Sequence, residues 1–372
     1  MAEPTIERIE LRVLSPGRSV RWTERATTCH ITTTIVSITD SEGAVGVAGM
    51  DGFAHAAGDR TTLESVRALW PLLQGRSIEC GPDLMDDVRS GVVFPYVTNG
   101  LALVDVALWD LRAQHADVPL WHLLGGHREK VLAYASLESM PRIEDYIEVV
   151  GRAIGEHYTA VKLHAFGDAE RDIQLYATLH ETYPDLTLMH DAECVYPFED
   201  AVRVGHALAE MDCSWYEAPM PELALQDYRA LARQVRVPIL PAGYAIGDHH
   251  QVADALLDPP WTACRSEIAS TQGITGLLRL MQLAASAGMN LEPVTYGSAF
   301  YAMAGLHVIL GQANATYHEV AYPTAEWEYG VTNPPRPDSD GFVRAPATAG
   351  LGLELDRDAI ARLTSSTAQL PG

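Results

Sequence analysis

The chain is poor in basic residues and cysteine, and it lacks long apolar runs. Its 26 Lys and Arg residues against 49 Asp and Glu give a formal net charge of −23, which repels phosphate backbones and anionic membranes. The five cysteines are scattered, odd in number and without CxxC spacing, which argues against a disulfide framework and fits a reducing cytoplasm. No stretch approaches the roughly 18 apolar residues of a membrane span. We therefore expect a cytoplasmic protein with a small-molecule ligand and no nucleic-acid or membrane partner.

The first third of the chain has the pattern of an α+β unit. Strand-like runs at residues 6–13 and 30–39 are followed by the turn signal Asp40-Ser41-Glu42-Gly43. Apolar residues then recur at helical spacing until Gly125-Gly126 ends the pattern. We predict an N-terminal α+β domain over residues 1–127.

Beyond residue 127, short apolar runs alternate with amphipathic segments. The runs lie at residues 160–164, 186–191, 215–217, 239–244, 264–267 and 291–294. Their ends recur at intervals close to the ~30 residues of each βα unit in a closed barrel. No Gly-rich GxGxxG follows a run, which argues against a dinucleotide-binding sheet. The pattern predicts a parallel α/β barrel over residues 128–338.

Titratable side chains stand at the ends of these predicted strands. Because the C-terminal ends of barrel strands converge on one pocket, the side chains should meet there. A base beside carboxylates is what removal of a proton next to a carboxylate requires, and two carboxylates on neighbouring strands can hold Mg²⁺. Buried ion pairs without chemistry are the alternative reading. The residues concerned are Lys162, His164, Asp191, Glu217, Tyr244 and Glu267.

Several motifs resemble those of one enzyme superfamily. The run Ala107-Leu108-Trp109-Asp110 is similar to the last helix of its capping domain, and residues 346–356 are similar to the tail that completes the cap. Lys162-Leu163-His164 resembles the KxK motif of the second barrel strand. Asp191 and Trp215-Tyr216-Glu217 resemble the metal-binding positions of the third and fourth strands. Over nearly its whole length, the chain thus resembles the mandelate-racemase-like branch of the enolase superfamily.

The resemblance implies a modified TIM (β/α)7β barrel, an N-terminal cap completed by residues 339–372, and a homo-oligomer. It also implies Mg²⁺ held by Asp191, Glu217 and Tyr244. Tyr244 stands where the family has a glutamate, and a neutral phenol supplies no formal charge at neutral pH. We therefore expect weak Mg²⁺ binding, with water, Glu193 or a substrate oxygen completing the coordination.

The same resemblance implies catalytic roles on the second and sixth strands. Lys162, or His164 in place of the family's second lysine, is expected to take a substrate proton, with the pKa of Lys162 lowered by neighbouring cations. Glu267 stands where this branch carries an aspartate, and it is the third expected catalytic residue. A structural ion pair of Glu267 with Arg265 or Lys162 is equally open.

Three further residues are expected to bind the substrate. Glu319 corresponds to the eighth-strand glutamate that polarises the substrate carboxylate, and Tyr296 lies just beyond the seventh strand. Arg18 lies in a cap loop, and it is expected to clamp a carboxylate unless it belongs to a solvated surface. Substrate specificity should reside in the cap loops at residues 16–29 and 50–60.

The residue at the end of the seventh strand favours one type of reaction over related types. Val294 stands where the family has a histidine on the opposite face of the substrate, so only one face has an evident base. We therefore expect a lyase that dehydrates an acid sugar after removing its α-proton through a metal-stabilised enediolate. A cycloisomerase or a racemase/epimerase is the alternative enzyme, and a non-catalytic or metal-free binding paralogue is the alternative of another class.

Overall fold

A computed structural model describes residues 3–22, 27–53, 57–90, 97–164 and 166–371. The two predicted specificity loops fall partly outside these residues, at 23–26 and 54–56. Within the described ranges, no helix combines the length and the apolar character needed to cross a bilayer.

The N-terminal part forms an antiparallel sheet covered by helices, as predicted. Strand β3 is central and pairs with β1, β2 and β4. The turn between β3 and β4 forms because the Asp40 carboxylate accepts hydrogen bonds from the amides of Glu42 and Ala44, both at 2.9 Å. The elements are β1 (Ile6–Leu14), β2 (Ser19–Val20), β3 (Cys29–Asp40), β4 (Val45–Phe53), α1 (Gly58–Leu73), α2 (Gly81–Ser90), α3 (Thr98–His115) and α4 (Leu120–Leu123).

Strands and helices then alternate as the sequence predicts. The elements are β5 (Lys130–Leu137), α5 (Ile143–Gly155), β6 (Ala160–His164), α6 (Ala169–Thr182), β7 (Thr187–Asp191), α7 (Phe198–Glu210), β8 (Trp215–Glu217), α8 (Leu225–Ala232), β9 (Ile239–Leu240), α9 (His249–Leu256), β10 (Cys264–Glu267), α10 (Ile274–Ser286), β11 (Leu291–Val294), α11 (Ala299–Gly311) and β12 (Tyr317–Tyr322). Neighbours pair in parallel in the order β12-β5-β6-β7-β8-β9, and β10 pairs with β11. The predicted architecture, an α+β cap and a TIM-type barrel, is confirmed.

The barrel strands are buried on both faces. Strand β6 is buried at every position, although it carries Lys162 and His164, and β7 ends in the buried Asp191. Parallel sheets covered by helices are expected to be apolar throughout, so charged residues at the strand ends mark the edge where polar groups meet. Strand β5, the first of the barrel, was not identified from the sequence.

The C-terminal segment contributes one strand to the barrel sheet and one strand to the cap sheet. Strand β13 (Phe342–Arg344) pairs with β5 in the barrel sheet, and helix α12 (Arg357–Leu363) follows it. Strand β14 (Thr364–Leu370) pairs antiparallel with β1 in the cap sheet, where Ile9 lies opposite Leu370. The cap sheet is thus built from strands near both ends of the described chain.

Candidate active site

A cavity of about 380 Å³ lies where the cap meets the C-terminal ends of the barrel strands. The cap contributes residues such as Trp22 and Asp51 to its wall. The size is that of a small-molecule site rather than of a macromolecular interface. Six residues predicted for the site line this cavity: Lys162, His164, Tyr244, Glu267, Tyr296 and Glu319.

Lys162 lies at the centre of three carboxylates. Its Nζ is 2.8 Å from Glu319 Oε1, 3.1 Å from Glu217 Oε2 and 3.2 Å from Asp191 Oδ2. Burial and the charge of Arg265 oppose protonation of Lys162, but the charges of Glu217 and Glu319 outweigh them and raise its pKa. The expected lowering of this pKa is therefore wrong, because Lys162 is surrounded mainly by anions rather than by cations.

Arg265 is the second buried cation of the site. Its Nε lies 2.6 Å from Glu217 Oε1, and its Nη2 lies 2.7 Å from Glu319 Oε2. Sequence reasoning treated Arg265 only as a candidate partner of Glu267. Arg265 and Glu267 stand two residues apart on β10, and side chains at this spacing point to the same side of a strand. This spacing was the signal that could have identified Arg265 as a residue of the site.

Glu267 lies apart from this ion-pair network. Within the described parts of the chain, it pairs with neither Arg265 nor Lys162, and Tyr301 donates a hydroxyl hydrogen bond to its Oε2 at 3.2 Å. Burial raises the pKa of Glu267 to about 7. Its carboxyl group is thus able to change protonation near neutral pH while facing the cavity.

His164 bridges the barrel wall and two carboxylates. Its Nδ1–H donates to the carbonyl of Leu137 at 2.7 Å, while Nε2 lies 3.2 Å from Asp191 Oδ2 and 3.3 Å from Glu193 Oε1. Burial would lower the pKa of His164, but the charge of Asp191 and the hydrogen bonds to both carboxylates raise it to about 10. In this arrangement His164 is a cation.

A tight turn after β7 directs Glu193 towards His164. Glu193 and Cys194 adopt left-handed backbone conformations, with φ of 51° and 61°, which are uncommon for residues with side chains. The Glu193 amide donates to Asp191 Oδ1 at 3.0 Å. Burial would raise the pKa of Asp191, but the charges of Lys162 and His164 lower it well below its usual range.

The metal set expected from the resemblance does not fit this geometry. Both oxygens of Glu217 are bonded to cations, one to Lys162 and the other to Arg265. Tyr244 lines the cavity and is 52% exposed, and its phenol is neutral at ordinary pH. The backbone amides of residues 243 and 245, on either side of Tyr244, both donate to the Glu222 carboxylate at 2.9 Å. Sequence reasoning did not identify this role of Glu222.

The two remaining substrate-binding candidates differ in position. Tyr296 lines the cavity, with its ring centroid 6.2 Å from that of His164. Arg18 is instead ion-paired with Glu138 and Glu326 and lies 4.7 Å from the ring centroid of Trp327. The described residues that line the cavity do not include Arg18. Its guanidinium is engaged by carboxylates of the barrel end, which explains why it does not face the cavity.

Comparison with known proteins identifies the architecture. Residues 8–125 match the N-terminal domain of the mandelate racemase / muconate lactonizing enzyme family, and residues 145–359 match the enolase C-terminal domain-like family. A Pseudovibrio sp. protein, provisionally assigned as a mandelate racemase/muconate lactonizing enzyme, is 27% identical, with a TM-score of 0.94 and 99% of each chain covered.

Two further similar proteins have named activities. D-glucarate dehydratase from Agrobacterium tumefaciens, solved with magnesium, is 25% identical, with a TM-score of 0.84 over 98% of this chain and 100% of the other. D-galactarolactone cycloisomerase from Agrobacterium fabrum is 24% identical over 70% of this chain and 72% of its own. Relatives of this chain thus include both dehydratases and isomerases.

Proposed function

Because the chain belongs to the mandelate racemase / muconate lactonizing enzyme family of the enolase superfamily, we propose that it is a lyase that removes water from a small hydroxy-carboxylate, an acid sugar. Similarity to D-glucarate dehydratase supports this substrate class. The polar cavity between cap and barrel supports it as well, because its size suits a small ligand.

One observation carries the proposal: Lys162 and Glu267 line the same cavity from strands β6 and β10. The barrel strands are β5 to β12, and β10 is the fourth strand after β6. In a barrel of eight strands, two strands four positions apart lie on opposite sides. The Lys162 ammonium is kept protonated by carboxylates, whereas the pKa of Glu267 is raised to about 7 by burial. In this proposal Glu267 is the proton acceptor and Lys162 the proton donor, and both line the cavity from different strands.

The reaction follows from these two protonation states. Ionised Glu267 takes the α-proton, and the C–H electron pair forms an enediolate that the positive charges of Lys162 and His164 stabilise. The β C–O bond then breaks, and the leaving hydroxyl takes a proton from Lys162 or His164 and departs as water. The remaining enol tautomerises to a 2-keto acid, so the overall change is the loss of one water molecule.

This assignment reverses the roles expected from the sequence. In the roles expected from the sequence, Lys162 or His164 accepts the α-proton, and this requires a neutral amine or a neutral imidazole. The structure supports the reversed roles because neighbouring carboxylates raise the pKa values of both Lys162 and His164, although burial alone would lower them. Glu267 is the cavity side chain with a pKa near neutrality. No step in this scheme uses a metal ion, because the expected ligand set does not fit.

Turnover of a library of acid-sugar carboxylates, with detection of 2-keto acid products, tests the proposal. We expect a 2-keto acid from at least one member of the library, and its loss in Glu267→Gln. A matched control is Glu199→Gln, which alters an exposed carboxylate on α7. Isomeric products without loss of water would show an isomerase. Binding without turnover of any compound would show a non-catalytic paralogue.

Cycloisomerisation is the second candidate. Opening of a lactone or an anhydro ring also needs one α-proton transfer, with a ring oxygen as the leaving group in place of a hydroxyl. The buried Val294, which forms an apolar part of the cavity wall, is compatible with a single proton transfer. Similarity to D-galactarolactone cycloisomerase supports the same chemistry. The library should therefore include cyclic acid-sugar derivatives.

A further inference from the structure

His164, Asp191 and Glu193 form a compact group of one imidazole and two carboxylates. One ligand atom from each side chain lies within 4.8 Å of the other two. The closest pairs are His164 Nε2 with Asp191 Oδ2 at 3.2 Å and with Glu193 Oε1 at 3.3 Å. Neighbouring ligand atoms around a divalent cation with bonds of about 2.1 Å lie roughly 3.0–3.4 Å apart. Both distances from His164 Nε2 thus have the spacing of neighbouring ligands in a coordination shell.

The tautomer of His164 is fixed in the form that a metal-binding histidine requires. Nδ1 contacts the carbonyl of Leu137, which can only accept, so Nδ1 carries the hydrogen. Nε2 is then the nitrogen that faces the two carboxylates. Metal-binding histidines characteristically donate their other ring N–H to a carbonyl or carboxylate in this way. An acidic cluster alone would not show this preorganisation.

Two of the three side chains are buried, and Glu193 leaves one edge of the group open. His164 and Asp191 are only 3% and 4% exposed, and Asp191 Oδ1 is fixed by the Glu193 amide, which leaves Oδ2 towards His164. Glu193 and His164 both line the cavity. Three protein ligands with free positions towards a substrate space are the arrangement of catalytic rather than structural metal sites.

We propose that His164, Asp191 and Glu193 bind a divalent transition-metal ion such as Mn²⁺ or Zn²⁺ in preference to Mg²⁺. Imidazole nitrogen suits transition metals, whereas Mg²⁺ favours an all-oxygen shell. The site differs from the expected set of Asp191, Glu217 and Tyr244 because it replaces the residues of the fourth and fifth strands with His164 and Glu193. Glu217 stays bonded to Lys162 and Arg265.

This proposal does not depend on the proposed reaction, since metal binding is measurable without substrate. Asp191 Oδ2 lies 3.2 Å from Lys162 Nζ as well, so a cation at the three residues would share this oxygen with Lys162, which keeps its contacts with Glu217 and Glu319 at 3.1 and 2.8 Å. It would also place a positive charge at the cavity wall, where a substrate carboxylate could reach it. With the metal bound, His164 Nε2 carries no proton, so Lys162 is then the proton donor of the proposed reaction. Without the metal, the Nε2 proton of His164 occupies the same space and the group is a plain ion pair.

Titration calorimetry of the metal-stripped protein with Mn²⁺, Zn²⁺ and Mg²⁺ tests the site. We expect Mn²⁺ and Zn²⁺ to bind at least tenfold more tightly than Mg²⁺. His164→Gln and Glu193→Gln should each weaken Mn²⁺ binding by about tenfold or more, because loss of even a residue that only orients a ligand weakens metal affinity by about 10–100-fold. The controls are His206→Gln and Glu199→Gln, which alter exposed residues of α7 and should bind as wild type.

A spectroscopic readout separates direct ligation from an indirect effect on folding. Electron spin echo of bound Mn²⁺ should show modulation from ¹⁴N of a histidine, and His164→Gln should abolish it. Should His164→Gln misfold, the weaker Mn²⁺ binding expected of Glu193→Gln still tests the site, because Glu193 is partly exposed and its replacement is less disruptive. Equal or tighter Mg²⁺ binding that Glu217→Gln abolishes and Glu193→Gln preserves would overturn the proposal, as would the absence of any divalent binding.

Discussion

Arg265 on β10 and Glu217 on β8 form a buried ion pair, with 2.6 Å between Nε and Oε1. The same guanidinium also holds Glu319, which makes Arg265 a bridge between two carboxylates that Lys162 contacts from the other side. Together with the contact between Lys162 and Oε2, this pair means that each oxygen of Glu217, which the resemblance places at a metal position, already contacts a cationic side chain.

Removal of the Arg265 charge should destabilise the protein. Arg265→Met leaves Glu217 and Glu319 buried with one cation in place of two, and such a loss lowers the free energy of unfolding by about 3–5 kcal/mol. Urea unfolding followed by circular dichroism measures the effect. Arg233→Met, at an exposed position after α8, is the control. An equal effect in the two variants would show that Arg265 contributes no more than a surface arginine.

The pH dependence of the reaction should report Glu267. Because the ionised carboxylate is the active form and burial raises its pKa to about 7, kcat/KM should rise as pH increases through about 7. Tyr301→Phe removes a hydrogen bond that lowers this pKa, so the rise should move to higher pH. Glu267→Gln should lower kcat by about 10²–10⁴-fold and abolish the rise. A rise that persists in Glu267→Gln belongs to another group.

Loss of Lys162 should impair the elimination more than the removal of the α-proton. Lys162→Met should lower kcat by about 10²-fold or more, because the charge beside the enediolate and a proton donor are both lost. Exchange of the α-proton with solvent deuterium, measured by NMR, should persist above the residual elimination rate. If Lys162→Met abolishes exchange while Glu267→Gln retains it, Lys162 is the base, as the sequence led us to expect.

Only one configuration at the α-carbon should react. Glu267 is the acceptor on the β10 side, where Val294 on the paired strand is apolar, and Lys162 on β6 is protonated, so a substrate with the opposite configuration directs its α-proton away from the base. Chromatography of both epimers of an active substrate after incubation measures the selectivity. Equal turnover of the epimers, or their interconversion, would reveal a second base, with Tyr296 as the first residue to examine.

Arg18 should stabilise the unliganded protein rather than bind substrate. Its ion pairs with Glu138 and Glu326 join the strand β2 region to the barrel, so Arg18→Gln should lower the stability by about 1–3 kcal/mol in thermal unfolding without ligand. Arg18→Lys should recover little of the lost stability, because a single ammonium group cannot span two carboxylates as a guanidinium does. A substrate clamp would instead leave the unliganded transition unchanged and raise KM alone.

The fold was predictable from the sequence because it depends on periodic patterns. Apolar runs such as that of β6, spaced at about 30 residues, identify strands before any contact is known. The convergence of Lys162 and Glu267 on one cavity follows from their places on the predicted strands, whereas Glu319 was expected there only from the family resemblance. Strand β5 escaped notice because Lys130–Leu137 immediately follows the predicted cap boundary.

The electrostatics of the site could not be predicted in the same way. Whether Lys162 is next to anions or cations depends on which side chains of neighbouring strands reach its Nζ. The distances from Nζ to those side chains are set by rotamers and by the stagger of the barrel strands. The left-handed turn that directs Glu193 back to His164 has no glycine to mark it. Likewise, the partners of Arg18 lie more than 100 positions away in the chain, beyond the reach of any local pattern.

The pairing of β1 with β14 has a consequence for the order of folding during synthesis. Ile9 is synthesised before the barrel strands β5 to β12, whereas its neighbour Leu370 is synthesised after them. The cap sheet therefore gains this edge strand only after the barrel strands have been made, long after β3 is available to pair with β1. Closing so large a loop is entropically unfavourable and slows assembly. Until that late step, the exposed edge of β1 is open to pairing with other chains, and a nascent-chain chaperone that shields it would raise the yield of native protein.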